Sequence, residues 1–180
     1  MSVILETERL LLRPPRAADI SQLVPLLNDF EVSKNLSPVP HPYTEDDACA
    51  FIVKMNYAIA AGTDYVFAIL LRPGLFMGLC GLHPAGGWEL GYWLGKPYWG
   101  KGYATEAGWR VVTFAFEELK AETLKAGWFH DNPVSGRVLE KLGFRLVGEA
   151  ERTSLSRGGP VNCHLVELDR ATYMTRKMTP

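Results

Sequence analysis

The sequence predicts a mixed α/β fold, a sheet with helices on its faces. Three observations carry that expectation. Apolar runs of strand length alternate with stretches of helical period. Capping residues and glycines punctuate the helical stretches. The length, 180 residues, suits one domain with an adequate core, expected to span residues 1–180.

RLLLRP, Arg9 to Pro14, reads as a first strand that ends at its prolines. In RAADISQLVPLLNDF the residues Ile20, Leu23, Val24 and Leu27 recur at helical spacing. SPVPHPY, Ser37 to Tyr43, is too rich in proline for a regular helix and is expected as a loop. Thr44 then caps EDD at the positive end of a second helix, which should run to about Ala61 and close at Gly62. DYVFAILL and LFMGLCGLH, separated by RPG, have the form of a β-hairpin. WELGYWLG follows as a two-faced strand, with Trp88, Leu90, Tyr92 and Leu94 on one side and Glu89, Gly91, Trp93 and Gly95 on the other.

From Gly102 the period changes: Ala104, Ala107, Val111 and Phe114 mark a helix to about Lys120. TLKAGWFH, Thr123 to His130, returns to strand. In DNPVSGRVLEKLGF, Asn132 is the N-cap, Pro133 the first helical residue and Gly143 the terminator, with Val134, Val138 and Leu142 on one face. Strands near Phe144 to Ser154 and Val161 to Tyr173 close the chain as a hairpin through SRGGP. The expected order is β-α-α-β-β-β-α-β-α-β-β.

A formal net charge of −1 argues against a nucleic-acid-binding surface. No run of about 18 uncharged apolar residues exists, so no membrane partner is expected. MSVILETERLLLRP offers only a three-residue apolar run before Glu6 and Glu8, and no secretory signal can be drawn from it. Cys49, Cys80 and Cys163 are odd in number and lack any CxxC pair, which fits reduced thiols and a cytoplasmic location. No metal site is expected.

The stretch KPYWGKGYATEA, Lys96 to Ala107, places a glycine-rich turn between a strand and a helix. Such a turn suits phosphate, because glycine allows close backbone approach and a helix N-terminus offers unpaired N–H groups. It does not match the P-loop pattern GxxxxGK[ST], nor the dinucleotide fingerprint, since Gly100 and Gly102 are followed by Thr105.

Trp99, Gly100, Lys101, Gly102, Tyr103 and Ala104 align instead on the acetyl-CoA signature Gln/Arg-x-x-Gly-x-Gly/Ala, with Trp99 at the first position. ELGYWL and NPVSGRVLEKLGF match two further segments, the latter at Asn132, Ser135, Glu140, Lys141, Gly143 and Phe144. On these residues the chain resembles the GNAT superfamily of N-acetyltransferases, and within it is similar to the Rim-type ribosomal-protein N-terminal acetyltransferase branch. The resemblance implies a mostly antiparallel sheet of six to seven strands with helices on both faces. It also implies acetyl-CoA as cosubstrate. The CoA pyrophosphate would lie against Gly100, Lys101, Gly102, Tyr103, Ala104 and Thr105, and the pantetheine arm against the backbone of Tyr92, Trp93 and Leu94, with Asn132 as a further contact. Glu106 is expected to face away, since a carboxylate there would repel the pyrophosphate.

The implied chemistry is attack of a neutral amine on a thioester. A proton must leave the amine, the carbonyl oxygen must be stabilised and a thiolate must depart. Many enzymes of the superfamily place a tyrosine where this chain has Leu139, so Ser135 is the candidate to hydrogen-bond the thiolate. Glu89 is the candidate base, with His83, His130 or water as alternatives, and a strand N–H near Trp93 is the candidate oxyanion donor. Each of these residues also has an ordinary structural account: a solvent-facing strand carboxylate, an N-cap, a turn histidine. The aromatics Tyr92, Trp93, Tyr98, Trp99 and Tyr103 gather around this site, and the NLSPVPHPYT loop is placed to cover an acceptor slot. The acceptor is expected to be a primary amine, on a protein N-terminus or a small molecule, and the protein a monomer or homodimer. A non-catalytic acyl-CoA sensor of the same fold is the alternative.

Overall fold

The computed structural model describes residues 3–178. Its strands are β1 (Leu5–Glu6), β2 (Leu10–Arg13), β3 (Tyr65–Leu71), β4 (Leu75–Pro84), β5 (Trp88–Leu94), β6 (Thr123–Phe129), β7 (Arg145–Ser154) and β8 (Gly159–Asp169). The helices are α1 (Ile20–Leu27), α2 (Phe30–Ser33), α3 (Glu45–Ala61), α4 (Tyr103–Glu117), α5 (Pro133–Leu142) and α6 (Arg170–Met178). One eight-stranded sheet runs in the order β1-β2-β3-β4-β5-β6-β8-β7. This corrects the expected six to seven strands: β1 is the short addition, pairing Leu5 with Leu12. Two cores flank the sheet. Residues of α4, α5 and α6 pack on one face, around Val111, Phe116, Leu139, Leu142 and Tyr173. Residues of α1, α2 and α3 pack on the other, around Leu23, Val32, Ala48 and Met55.

The punctuation read from the sequence is the punctuation of the fold. Thr44 Oγ1 accepts from Asp47 N at 3.1 Å and Asp47 Oδ2 accepts from Thr44 N at 2.9 Å, a reciprocal cap that starts α3. Gly62 ends that helix in the left-handed region at φ 71°. After β2 the chain turns into α1 through Arg13, whose guanidinium makes a bidentate pair with buried Asp19 at 2.7 and 2.8 Å.

Two expectations are corrected at the C-terminal end. The last strand stops at Asp169 rather than Tyr173, because Asp169 Oδ1 accepts from Thr172 N at 2.7 Å and opens α6. Tyr173 is fully buried, stacked on Phe116 at 4.6 Å between ring centroids, with its hydroxyl donating to Glu117 Oε1 at 2.8 Å. Val134 was expected on the inner face of α5 but is 56% exposed; Leu139 and Leu142 are the buried anchors. Pro133 fixes the entry of that helix, and Val134 beside it falls outside the stripe that meets α4 and β6.

Neighbouring strands are antiparallel throughout except at β5 and β6, which run parallel and pair only at Trp88↔Leu124 and Glu89↔Lys125. Beyond Glu89, β5 continues along β4 to Leu94 while β6 continues along β8 to Phe129. The sheet therefore opens as a V between the C-terminal ends of two parallel strands, and α4 and α5 begin just beyond those ends. Open α/β sheets bind ligands at such divergences.

Replacing Tyr173 by Ala should cost about 3–5 kcal/mol of stability, and by Phe about 1 kcal/mol, since the first removes a buried ring and the second one hydrogen bond. Urea unfolding of the three proteins, compared at unchanged m-value, measures both.

Candidate active site

The glycine turn forms the first lip of the V. Gly100 and Gly102 have φ of 72° and 80°, a region that side chains with a Cβ rarely occupy. Gly102 is the N-cap of α4 and has no side chain to cap it, so the first N–H groups of the helix are left to a partner outside it. Trp99 folds its indole back: Nε1 donates to Leu94 O at 2.7 Å, tying the turn to the end of β5. Lys101 also turns inward on the loop, with Nζ donating to Pro97 O at 2.8 Å.

Arg9 and Glu106 hold this lip from behind. Glu106 Oε1 accepts from Thr7 Oγ1 at 2.5 Å and from Arg9 N at 3.1 Å, and Oε2 accepts from Arg9 Nε at 2.6 Å. Arg9 reaches on to Lys101 O at 3.1 Å and covers the Tyr103 ring at 4.5 Å. Burial opposes ionisation of Glu106, but the bonds from Thr7 and Arg9 and the Arg9 charge outweigh it and hold the carboxyl below its ordinary range. Glu106 thus faces the β1–β2 turn, as its charge requires. Arg9 and Thr7 went unread in the sequence, where nothing marks a partner 97 residues away.

Backbone direction sorts the three residues expected to face the pantetheine arm. Trp93 O points at β4, where a Cβ on Gly78 would meet it at 2.1 Å. Alternation along the strand turns the polar groups of Tyr92 and Leu94 the other way, into the V. The Trp93 backbone thus belongs to the β4 ladder, in register with Leu79, while the backbone of Tyr92 faces the V. Leu94 keeps its orientation, but its carbonyl already accepts from Trp99.

The second lip is the start of α5. Asn132 caps it, Oδ1 accepting from Ser135 N at 3.3 Å, which leaves Nδ2 as its outward donor. Ser135 Oγ lies 2.8 Å from the Tyr92 hydroxyl, which also donates to Ser135 O at 3.1 Å. The sequence put Tyr92 on the correct face of β5, but this side-chain contact between strand and helix was missed. Burial above all pushes the Tyr92 phenol well above its ordinary pKa; the Ser135 bond opposes this and buried Cys80 adds to it.

Glu89 points to the opposite sheet face from Tyr92, by strand alternation. It is not free: Arg152 Nη1 of β7 donates to Glu89 Oε1 at 2.5 Å. His83 Nδ1, on β4, is 2.9 Å from Oδ1 of Asp64, which leads into β3. His130 lines a groove on the outer side of α5 with Trp128, Arg137, Glu140 and Arg176, a groove that neither Ser135 nor Leu139 lines. Of the alternatives to Glu89, His83 stands opposite it in register with Nδ1 paired to Asp64, and His130 lines that outer groove.

On the Glu89 face the β7–β8 turn reaches across to the loop after α2. Arg157 donates to Asp131 at 2.8 and 3.0 Å and to Lys34 O at 2.7 Å; Ser156 Oγ donates to Ser33 O at 3.0 Å and Leu155 N to Ser37 O at 3.1 Å. The Arg157 hydrogen bond first, and its charge after it, hold the Asp131 carboxyl below its ordinary range against burial. Among the described residues, no helix is long and apolar enough to cross a membrane.

Residues 9–145 match the acetyltransferase (GNAT) domain model. The chain belongs to the GNAT family. Over 175 residues it is 27% identical to the uncharacterized N-acetyltransferase p20 of Bacillus licheniformis, covering 94% of this chain and 97% of that one. Its fold matches a GNAT-family acetyltransferase of Bacillus anthracis at TM-score 0.81 and 24% identity, over 93% of this chain and 98% of the other. It also matches RimL, a ribosomal L7/L12 α-N-protein acetyltransferase solved in complex with coenzyme A, at TM-score 0.81 and 15% identity, again over 93% and 98%. The GNAT fold expected from the sequence is therefore present, with N-acetyltransferases among its relatives.

The Glu106 cluster carries a pH signature. Its folded pKa is depressed, so its contribution to stability is complete above the ordinary carboxylate value near 4.5 and is lost as pH falls through the lower folded value. Glu106→Gln should lower stability at pH 7 by about 1.5 kcal/mol and flatten the acid limb of the stability curve below that pH. Denaturant unfolding of both proteins across pH 3–7 tests it; parallel acid limbs would refute the assignment.

Proposed function

We propose that this protein is an acetyl-CoA-dependent N-acetyltransferase that passes the acetyl group to a primary amine by direct attack on the thioester. The observation that carries the reading is the two-pair limit of β5–β6 pairing beside the uncapped, glycine-led start of α4. A linear cosubstrate with amides at one end and a pyrophosphate at the other fits an open strand edge that leads to a helix N-terminus. N–H groups of Tyr103, Ala104 and Thr105 would receive the pyrophosphate, with Gly100 and Gly102 allowing its approach and Trp99 and Lys101 shaping the turn. The backbone of Tyr92 would pair with the pantetheine arm, and Asn132 Nδ2 would contact it from the other lip. The proposed steps call on no metal.

The sheet separates the two reactants. The amine would enter from the Glu89 face and the thiolate would leave toward Ser135 on the other. Glu89 receives the amine proton, directly or through water, on the oxygen that Arg152 does not hold. The Tyr92 N–H meets the carbonyl oxygen as charge develops there. An α-amine with pKa ~8 is about one-tenth neutral at pH 7, against well under a thousandth for a lysine at ~10.4, so the α-amine asks far less of a carboxylate base. This supports a protein N-terminal α-amine as the first acceptor class, in keeping with the name of RimL. A small-molecule amine is the second, and the protein would act as a monomer or homodimer.

The test follows free thiol release from acetyl-CoA with peptides bearing Ser, Ala or Met at the N-terminus, polyamines and aminoglycosides. Turnover is expected on one acceptor class, and Glu89→Gln should lower kcat about 100-fold with little change in acetyl-CoA affinity. Tight acetyl-CoA binding without turnover on any acceptor would instead support the sensor reading, and absence of binding would overturn both.

A further inference from the structure

Building on the acetyltransferase reading, we infer that the Tyr92 side chain is a positioning residue for departure of the thiolate: its hydroxyl holds Ser135 Oγ so that the serine proton is presented to the sulfur. The geometry sets up two arrangements of the same atoms. The phenol has one proton and two oxygens of one residue within reach, Ser135 Oγ at 2.8 Å and Ser135 O at 3.1 Å. With that proton on the carbonyl, the serine hydroxyl must donate back to the phenol oxygen, and its proton is withheld from the V. With the phenol proton on Oγ, the serine hydroxyl is free to donate elsewhere. A rotation about the tyrosine C–O bond converts one state into the other.

The rest of the contact keeps Ser135 in place while this happens. Its N–H is held by Asn132 Oδ1 at 3.3 Å, and the helix that carries it is anchored by buried Leu139 and Leu142. Tyr92 comes from β5, so its hydroxyl ties that strand to the start of α5. Burial keeps the phenol protonated well above neutrality, which makes it a donor throughout the working pH range.

No proton leaves Tyr92. The new C–N bond forms as the amine attacks, the C–S bond breaks with its electron pair on sulfur, and the amine proton goes to Glu89 or water. The thiolate accepts the Ser135 hydrogen bond while the phenol proton moves from Ser135 O to Oγ. The thiolate takes its own proton from solvent after release.

The test compares Tyr92→Phe, Ser135→Ala and the double variant by thiol release at saturating acceptor, with acetyl-CoA affinity by calorimetry and thermal midpoints in parallel. Tyr92→Phe should lower kcat about 10-fold, the order expected for one hydrogen bond to a charged group, with acetyl-CoA Kd unchanged and the thermal midpoint lowered only by the amount one buried hydrogen bond contributes, as Tyr173→Phe calibrates. The double variant should be no slower than Ser135→Ala alone, since the phenol acts through the serine. Wild-type kcat in Tyr92→Phe, losses that multiply in the double variant, or a loss matched by weaker acetyl-CoA binding would each overturn the inference while leaving the acetyltransferase reading intact. Absence of thiol release by the wild-type protein on every acceptor would overturn both together.

Discussion

The structure turns on one pairing that stops early. Parallel strands β5 and β6 share two register pairs and then part, each retaining a full antiparallel partner on its outer side. Those outer ladders make the divergence affordable in hydrogen bonds, since half of the backbone groups of each strand stay paired. The groups that face inward are gathered in one place, at the end of the sheet where α4 and α5 begin. Every candidate residue takes its role from which side of this opening it stands on: Glu89 on one sheet face, Tyr92 and Ser135 on the other, the glycine turn at the rim.

Much of the fold was legible because its boundaries are set by local chemistry. Thr44, Gly62, Asn132, Pro133 and Gly143 act through hydrogen bonds and φ values within a few residues, and all five stand where the sequence placed them. The errors share a cause. Leu-Asp-Arg-Ala-Thr-Tyr can extend a strand or start a helix, and a stack on Phe116, 57 positions earlier, joins the Asp169 cap in selecting the helix. Val134 has helical spacing, but the inner face of α5 is fixed by what α4 and β6 present to it.

The site was legible in its glycines and less so in its side-chain contacts. A positive φ is a property of one residue, so Gly100 and Gly102 could be read as a turn open to a ligand. Partners across the sheet could not. Glu89 lies 63 residues from Arg152, Tyr92 lies 43 from Ser135, and Arg9 lies 97 from Glu106. Nor did the alternation of residue types reveal that Trp93, rather than Tyr92, gives its carbonyl to β4; that depends on which edge of β5 is paired, a property of the sheet and not of the strand.

The loop after α2 is fastened in an uneven way. Arg157, Ser156 and Leu155 all grip it by main-chain oxygens, those of Lys34, Ser33 and Ser37. Main-chain oxygens are common to all amino acids, so these three bonds do not depend on the side chains of the segment, whereas Leu36, Val39 and buried Tyr43 also hold it by packing on the core. Substitutions at the exposed positions of this segment therefore leave its fastening in place, while truncation of its apolar side chains loosens it.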